Sequence, residues 1–171
     1  LDDEDKNKEY YIISYDKEHS KNIYETKLKI NSWARLDRKY LSDVAVIVKY
    51  EGRVIKQINF LDELKGKRVF ISFESKALGD TLAWMPYCAE FAKHYQCKVI
   101  VSTFKNFLFD NQYPELEFVG RGEVVNNLIA MFELGWFWEK SKEPVNPILI
   151  PLQKAATNIL NLPYQELIPN L

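Results

Sequence analysis

The residue types that most often build metal and redox centres are scarce: the 171 residues include 2 cysteines and 2 histidines. Cys88 and Cys97 stand in neither a Cys-x-x-Cys nor a zinc-ribbon spacing, and His19 and His94 are far apart in the chain. No metal and no cofactor are expected on these grounds. The two thiols read as buried and reduced, as in a cytoplasmic protein. An excess of positive charge is also lacking. Lys and Arg number 23 against 24 Asp and Glu, a formal net charge of −1, which excludes a general nucleic-acid binder. No apolar run is long enough for a membrane helix, and no signal-peptide pattern opens the chain. The glycines form neither Gly-x-Gly-x-x-Gly nor a P-loop, so the usual phosphate cradles are missing. There is no internal repeat. The chain begins at Leu1 without an initiator methionine, as expected of a piece of something longer.

What is present is a core. Hydrophobic residues make up 47% and aromatic residues 14% of the chain, and the length suits one large domain or a domain with an appendage. Residues 1–9, "LDDEDKNKE", are charged and read as a disordered acidic tail. Residues 10–65 are rich in β-formers. "YYIISYD" reads as a strand, "NIYETKLKI" alternates with period two, and "DVAVIVKYEGRVIKQINF" reads as a hairpin turning at Glu51-Gly52. From residue 66 the pattern changes. "RVFISF" and "KVIVSTF" are continuous apolar runs of the kind buried in parallel sheets. Between them Leu82, Met85, Ala89, Ala92 and Tyr95 follow helical spacing. "NFLFDNQ" reads as a short helix, "LEFV" as a third strand, and "EVVNNLIAMFELGWFWEK" as a helix followed by an aromatic-rich loop. "PLQKAATNILNLP" is a helix with Pro151 at its start. The βαβαβ rhythm over 66–171 predicts an α/β fold, a Rossmann-like parallel sheet preceded by a small antiparallel β unit.

"SKALGDTLAWMP", Ser75 to Pro86, opens the predicted helix just after the first buried strand. In open α/β sheets ligands bind beyond the carboxyl ends of the strands. Gly79 allows close approach there, and Asp80 falls at or near the helix N-terminus, where the dipole favours a negative charge. Two readings of Asp80 follow from residue type alone: an N-cap, or a carboxylate that accepts a proton from an attacking hydroxyl. Ser75, Gly79 and Thr81 flank it as sugar or phosphate contacts, or as ordinary turn residues. Lys76 is a phosphate contact or a solvated lysine. Lys105 and Asn106 follow the second strand and line the same edge. Gln153 opens a helix whose N-terminus would suit an anionic ligand, or it is a solvated first-turn residue. Trp84, Trp136 and Trp138 read as core or interface. Pro86 lies inside a helical pattern, where it removes a hydrogen bond and favours a kink.

"ALGDTLAWMPYCAEFAKHYQCKVIVSTFKNFLF", "YPELEFV" and "PLQKAATNILNLPYQELIPNL" together resemble the bacterial autotransporter O-heptosyltransferases, a branch of the ADP-heptose-dependent heptosyltransferases. The resemblance covers roughly residues 68–171, and Leu-Gly-Asp-Thr-Leu-Ala-Trp-Met-Pro is its specific element. It implies a GT-B architecture of two Rossmann-like domains, of which residues 66–171 would be the acceptor-side one, with the donor-binding domain absent from this chain. It implies transfer of heptose from ADP-heptose to serine hydroxyls of an autotransporter-type protein with inversion, with Asp80 as catalytic base; Ser75, Gly79, Thr81, Lys105, Asn106 and Gln153 are expected substrate contacts from their positions alone. Its implied partners are a nucleotide-sugar donor, a protein acceptor and a C-terminal domain. A homo-oligomer stays open. The rival expectation is a non-catalytic binding or assembly module that keeps the fold, with "MFELGWFW" as its partner-binding patch.

Overall fold

A computed structural model describes residues 8–32, 34, 36, 38–109, 111–137 and 146–171. The expected acidic tail lies outside the described residues up to position 7, and Glu9 already begins the first strand. The chain divides into two compact units, residues 1–37 with 42–63, and residues 38–41 with 64–171.

The first unit is a four-stranded antiparallel sheet of β1 (Glu9–Asp16), β2 (Lys21–Lys29), β3 (Val44–Tyr50) and β4 (Arg53–Asn59), in the order β2-β1-β3-β4. Glu51 and Gly52 join β3 to β4 with φ of 48° and 79°. Two successive positive φ values match the right-handed twist of a hairpin, which is why glycine is placed there. At the β1–β2 turn the buried Asp16 accepts a hydrogen bond from the His19 backbone N–H at 3.1 Å. The Tyr11 hydroxyl donates across to Glu25 on β2. A single turn of helix, α1 (Phe60–Glu63), ends the unit.

The second unit carries β5 (Arg68–Phe73), α2 (Leu78–Tyr95), β6 (Lys98–Ser102), a 3-10 turn at Asn106–Phe109, β7 (Leu116–Phe118), β8 (Leu128–Leu134) and α3 (Leu152–Leu160). Its sheet has the order β7-β6-β5-β8, with every neighbouring pair parallel. Antiparallel first unit and parallel second unit agree with the pattern of the sequence. Two expectations are corrected. Residues 128–134 form a fourth parallel strand and not a helix: β5 uses one edge for β6, and β8 satisfies the backbone groups of the other. The face of β5 is also not uniformly buried, since Val69, Ile71 and Phe73 are enclosed while Phe70 and Ser72 are half-buried. Arg68, at the start of β5, reaches Glu117 on β7 at 2.9 Å and the Asn126 carbonyl before β8 at 2.8 Å. It thereby ties the β7–β8 crossover to the amino end of the sheet.

Helix α2 runs through Pro86 without interruption and buries Trp84, Met85, Tyr87, Cys88 and Phe91. Gln96, with φ of 51°, stops it in the left-handed conformation. Beyond α3 the chain runs extended, pinned by side chains from elsewhere in the unit. Tyr87 Oη donates to the Gln165 carbonyl at 2.6 Å, Gln153 Nε2 donates to that of Leu167 at 2.8 Å, and Tyr113 Oη accepts from the Asn170 N–H at 2.9 Å. Burial pushes the Tyr87 phenol up from 10.0 to about 12. The folded protein therefore holds this proton more tightly than the unfolded chain. The resulting stabilisation is whole below pH ~10 and is lost as the pH rises from about 10 through about 12. Tyr87→Phe is expected to cost about 1 kcal/mol at pH 7, the net worth of one hydrogen bond, and to flatten the alkaline loss of stability. Urea denaturation at pH 7 and pH 11 measures both effects, and an unchanged alkaline slope would show that Tyr87 does not titrate in the transition.

Candidate functional site

In a parallel sheet every strand ends at the same edge. The crevice of an open α/β sheet lies where successive connections leave in opposite directions. Here β5 connects through α2 to β6 on one side, while β8 is laid on the other side of β5. The switch point is thus between β5 and β8, and its lip is made of residues 74–80 and 135–137.

Asp80 stands at this lip. It is the third residue of α2, half-buried, in the first turn where the helix dipole favours an anion. It is not the N-cap. That position is Ala77, which makes no side-chain cap hydrogen bond. The Asp80 carboxylate turns instead to β8: Trp136 Nε1 donates to its Oδ2 at 3.1 Å. Among the described residues, no hydrogen bond reaches Oδ1. Trp136 is half-buried, and its ring lies 6.5 Å from that of Trp84. Trp84 is enclosed, donates from Nε1 to the Leu152 carbonyl at 3.0 Å and meets Phe73 edge-on at 5.8 Å. Asp80 and Trp84 are four residues apart, so both face Trp136 from one side of α2.

The other expected site residues fall into two groups. Ser75 and Gly79 follow β5 and Lys105 follows β6, at the edge where the strands end. Ser75 Oγ accepts from the Ala77 N–H at 3.1 Å and orders the turn into the helix. Gly79 has nothing within 4 Å of where a Cβ would stand, so its missing side chain leaves open space beside Asp80. Lys105 is half-buried and donates its backbone N–H to Thr103 Oγ1 at 2.9 Å. In the second group the side chains are engaged within the fold. Thr81 is buried and its hydroxyl donates to the Ala77 carbonyl at 2.8 Å. Asn106 accepts from both N–H and hydroxyl of Thr103 at 2.8 Å and donates to the Val119 carbonyl at 2.8 Å. Gln153 Nε2 is bound to Leu167, as above. For Thr81, Asn106 and Gln153 the structure gives the side chain an internal partner.

Two functional candidates escaped the sequence reading, Trp136 and Arg121. Arg121 donates to the Phe73 carbonyl at the end of β5 at 3.0 Å and lies 3.7 Å from the centroid of the Phe104 ring. Lys76 Nζ sits 5.2 Å from the same centroid. Neither cation has a carboxylate partner among the described residues. An arginine between glycines at the end of the third strand was the signal available for Arg121. The aromatic segment is corrected as well. Phe132 packs on Phe91 at 5.8 Å, Trp136 on Trp84, and Phe137 lies edge-on to Tyr40 at 6.4 Å and under Lys39 at 4.6 Å. These rings serve the fold of their own unit. Met131 is the exposed member, and Trp138 lies outside the described residues.

Gly135 delivers Trp136. The strand leaves β8 so close to Glu74 that a Cβ on Gly135 would stand 2.9 Å from Glu74 Cβ and closer still to its carboxylate. Gly135→Ala is expected to cost about 1–3 kcal/mol through overpacking, measured by urea denaturation of this chain. A variant as stable as the parent would mean that the Glu74 contact gives way freely.

No family model matches the sequence. The chain is 27% identical over 168 residues to the autotransporter heptosyltransferase Aah of Escherichia coli, a match covering 95% of this chain and 43% of that protein. It is 29% identical over 141 residues to the autotransporter heptosyltransferase BAHTCr of Citrobacter rodentium, covering 80% of this chain and 34% of that protein. The fold matches the crystal structure of the iron-containing dodecameric glycosyltransferase TibC from enterotoxigenic Escherichia coli H10407. The TM-score is 0.79 at 20% identity, over 96% of this chain and 44% of that one. A second TibC structure, in complex with ADP-D-beta-D-heptose, matches with a TM-score of 0.78. The homologues of this chain are therefore autotransporter heptosyltransferases, and the chain spans less than half the length of each.

These neighbours overturn the expectation of no cofactor, since TibC is described as containing iron. The residues described here do not fit an iron centre. No three His, Cys, Asp or Glu side chains among them lie together in a way that could hold a metal ion. Cys88 and Cys97 are buried apart from any such group, with burial raising the first thiol far above its ordinary value and the second to about 11. Thiolates, the ligand form, are disfavoured at both.

Proposed function

We propose that this chain is the acceptor-side part of an inverting glycosyltransferase that moves heptose from ADP-heptose to serine hydroxyls of an autotransporter-type protein. In this reading the second unit is the first Rossmann-like domain of a GT-B enzyme, the first unit is an N-terminal extension, and a donor-binding domain completes the protein. The observation that carries the reading is Asp80: a half-buried carboxylate at the switch point of a parallel sheet, with one oxygen held by Trp136 and the other unbonded among the described residues. The names of the homologues supply the chemistry to be explained.

The reaction is a single displacement. Asp80 accepts the proton of the acceptor hydroxyl as that oxygen attacks C1 of the sugar. The new C1–O bond forms on the face opposite the departing ADP, which leaves with the electron pair of the broken bond, so the anomeric centre inverts. The acceptor approaches over Gly79, where a side chain is lacking. Ser75 and Lys105 border its path. The cations Lys76 and Arg121, with no carboxylate partner among the described residues, suit the negative charge of the donor. Thr81, Asn106 and Gln153 shape the edge through the internal bonds described above. No step is assigned to iron. Like the TibC assemblies, the enzyme would be an oligomer. With its thiols buried and reduced, and with no helix among the described residues long and apolar enough to cross a membrane, we place it in the cytoplasm.

Asp80→Asn in the full-length enzyme is expected to preserve melting temperature and donor affinity and to lower turnover about a hundred- to ten-thousandfold, the usual worth of a general base. The amide oxygen can still accept from Trp136, so base chemistry alone is removed. Asp80→Ala loses that bond too and should cost roughly 1 kcal/mol more of stability, although no N-cap is lost. Heptose transfer by Asp80→Asn at near wild-type rate would refute the catalytic role. This chain alone is expected to bind ADP-heptose weakly or not at all in calorimetry; micromolar binding would move the donor site into it.

A further inference from the structure

Resting on the reading of Asp80 as base, we propose that Trp136 is the residue that positions it, fixing Oδ2 so that Oδ1 is the oxygen that receives the acceptor proton. The torsion that rotates a carboxylate about its Cβ–Cγ bond is broad and roughly two-fold. An unheld Asp80 would therefore present either oxygen in many orientations. The indole N–H of Trp136 removes that freedom at 3.1 Å from Oδ2. An indole nitrogen donates and does not accept, so Trp136 can neither relay the proton nor compete for it.

The holder is itself held. The Trp136 ring rests near Trp84, which is enclosed and bonded to the Leu152 carbonyl. Its backbone is set by Gly135, whose approach to Glu74 leaves no space for a Cβ. Base and holder thus come from different elements, α2 and the exit of β8. Both are referred to one buried tryptophan four residues beyond the base. A tie serving only to fasten β8 to α2 would not need a carboxylate at this edge, because Trp84 and Trp136 already provide the packing.

The test is a double-mutant cycle in the full-length enzyme. Trp136→Phe keeps a ring and removes the N–H. Turnover is expected to fall roughly ten- to a hundredfold, the scale set by misplacing a catalytic group by about an ångström, with the donor KM nearly unchanged and a loss of melting temperature comparable to that of Asp80→Ala, which loses the same bond. In the Asp80→Asn background the same change should cost less than about twofold, because two residues acting as a unit do not add. Wild-type turnover in Trp136→Phe, or an equal loss in both backgrounds, overturns the proposal while leaving Asp80 as base. Wild-type turnover in Asp80→Asn overturns the base and the proposal together. An independent readout needs no activity. In this chain the Trp136 indole N–H resonance should move on Asp80→Ala while that of Trp84 stays in place, and an unmoved Trp136 resonance shows that the bond is not formed in solution.

Discussion

The parallel pairing of β8 with β5 is the constraint from which the candidate site follows. β5 is central to its sheet, so its two edges must both be paired, and the connections that fill them leave in opposite directions. That divergence opens the crevice between 74–80 and 135–137. Because the strands are parallel, β8 releases its chain at the same end at which β5 turns into α2. An antiparallel β8 would have sent Gly135 and Trp136 to the opposite edge, and Asp80 would have no partner.

Around this crevice three elements meet through side chains that each do two things. Trp84 fills the core beneath α2 and reaches the start of α3 through its indole N–H. Trp136 packs on Trp84 and bonds the Asp80 carboxylate. Arg121 accepts the Phe104 ring as a platform while capping the last carbonyl of β5. The result is an edge on which two carboxylates, Asp80 and Glu74, and two cations, Lys76 and Arg121, stand with no ion pair between them among the described residues. Gly79, the second residue of α2, leaves open space beside Asp80, with nothing within 4 Å of where a Cβ would stand.

The comparisons widen this picture and limit it. Heptosyltransferases named for autotransporters match nearly all of the chain, while the chain matches less than half of them. Asp80, the base in the reading proposed above, lies in the part in hand. Iron is a property of TibC, and no group of three His, Cys, Asp or Glu that could hold a metal ion stands among the residues described here.

Much was legible in the sequence because it is local. The alternation of 10–59, the Glu51-Gly52 turn and the apolar runs of β5 and β6 follow from side-chain period and backbone sterics, which neighbouring residues fix. The Gly-Asp turn could be set at the ligand edge by the same means, and Asp80 singled out. Residues 128–134 were not legible. "LIAMFEL" mixes strong helix formers with a length that fits a strand, and a short apolar run carries no period that separates the two. The choice was made by the unpaired edge of β5, sixty residues away in sequence. With β8 misread, Trp136 could be no more than an aromatic in a loop. For the same reason Asp80 could not be told from an N-cap: helix position alone offers it backbone N–H groups, whereas its actual partner is supplied by another strand. Residue type and order thus determined the two kinds of sheet and the candidate base. The partner of the Asp80 carboxylate was decided by tertiary structure alone, because a hydrogen bond between residues 80 and 136 exists only once the parallel sheet has brought two distant strand ends to one edge.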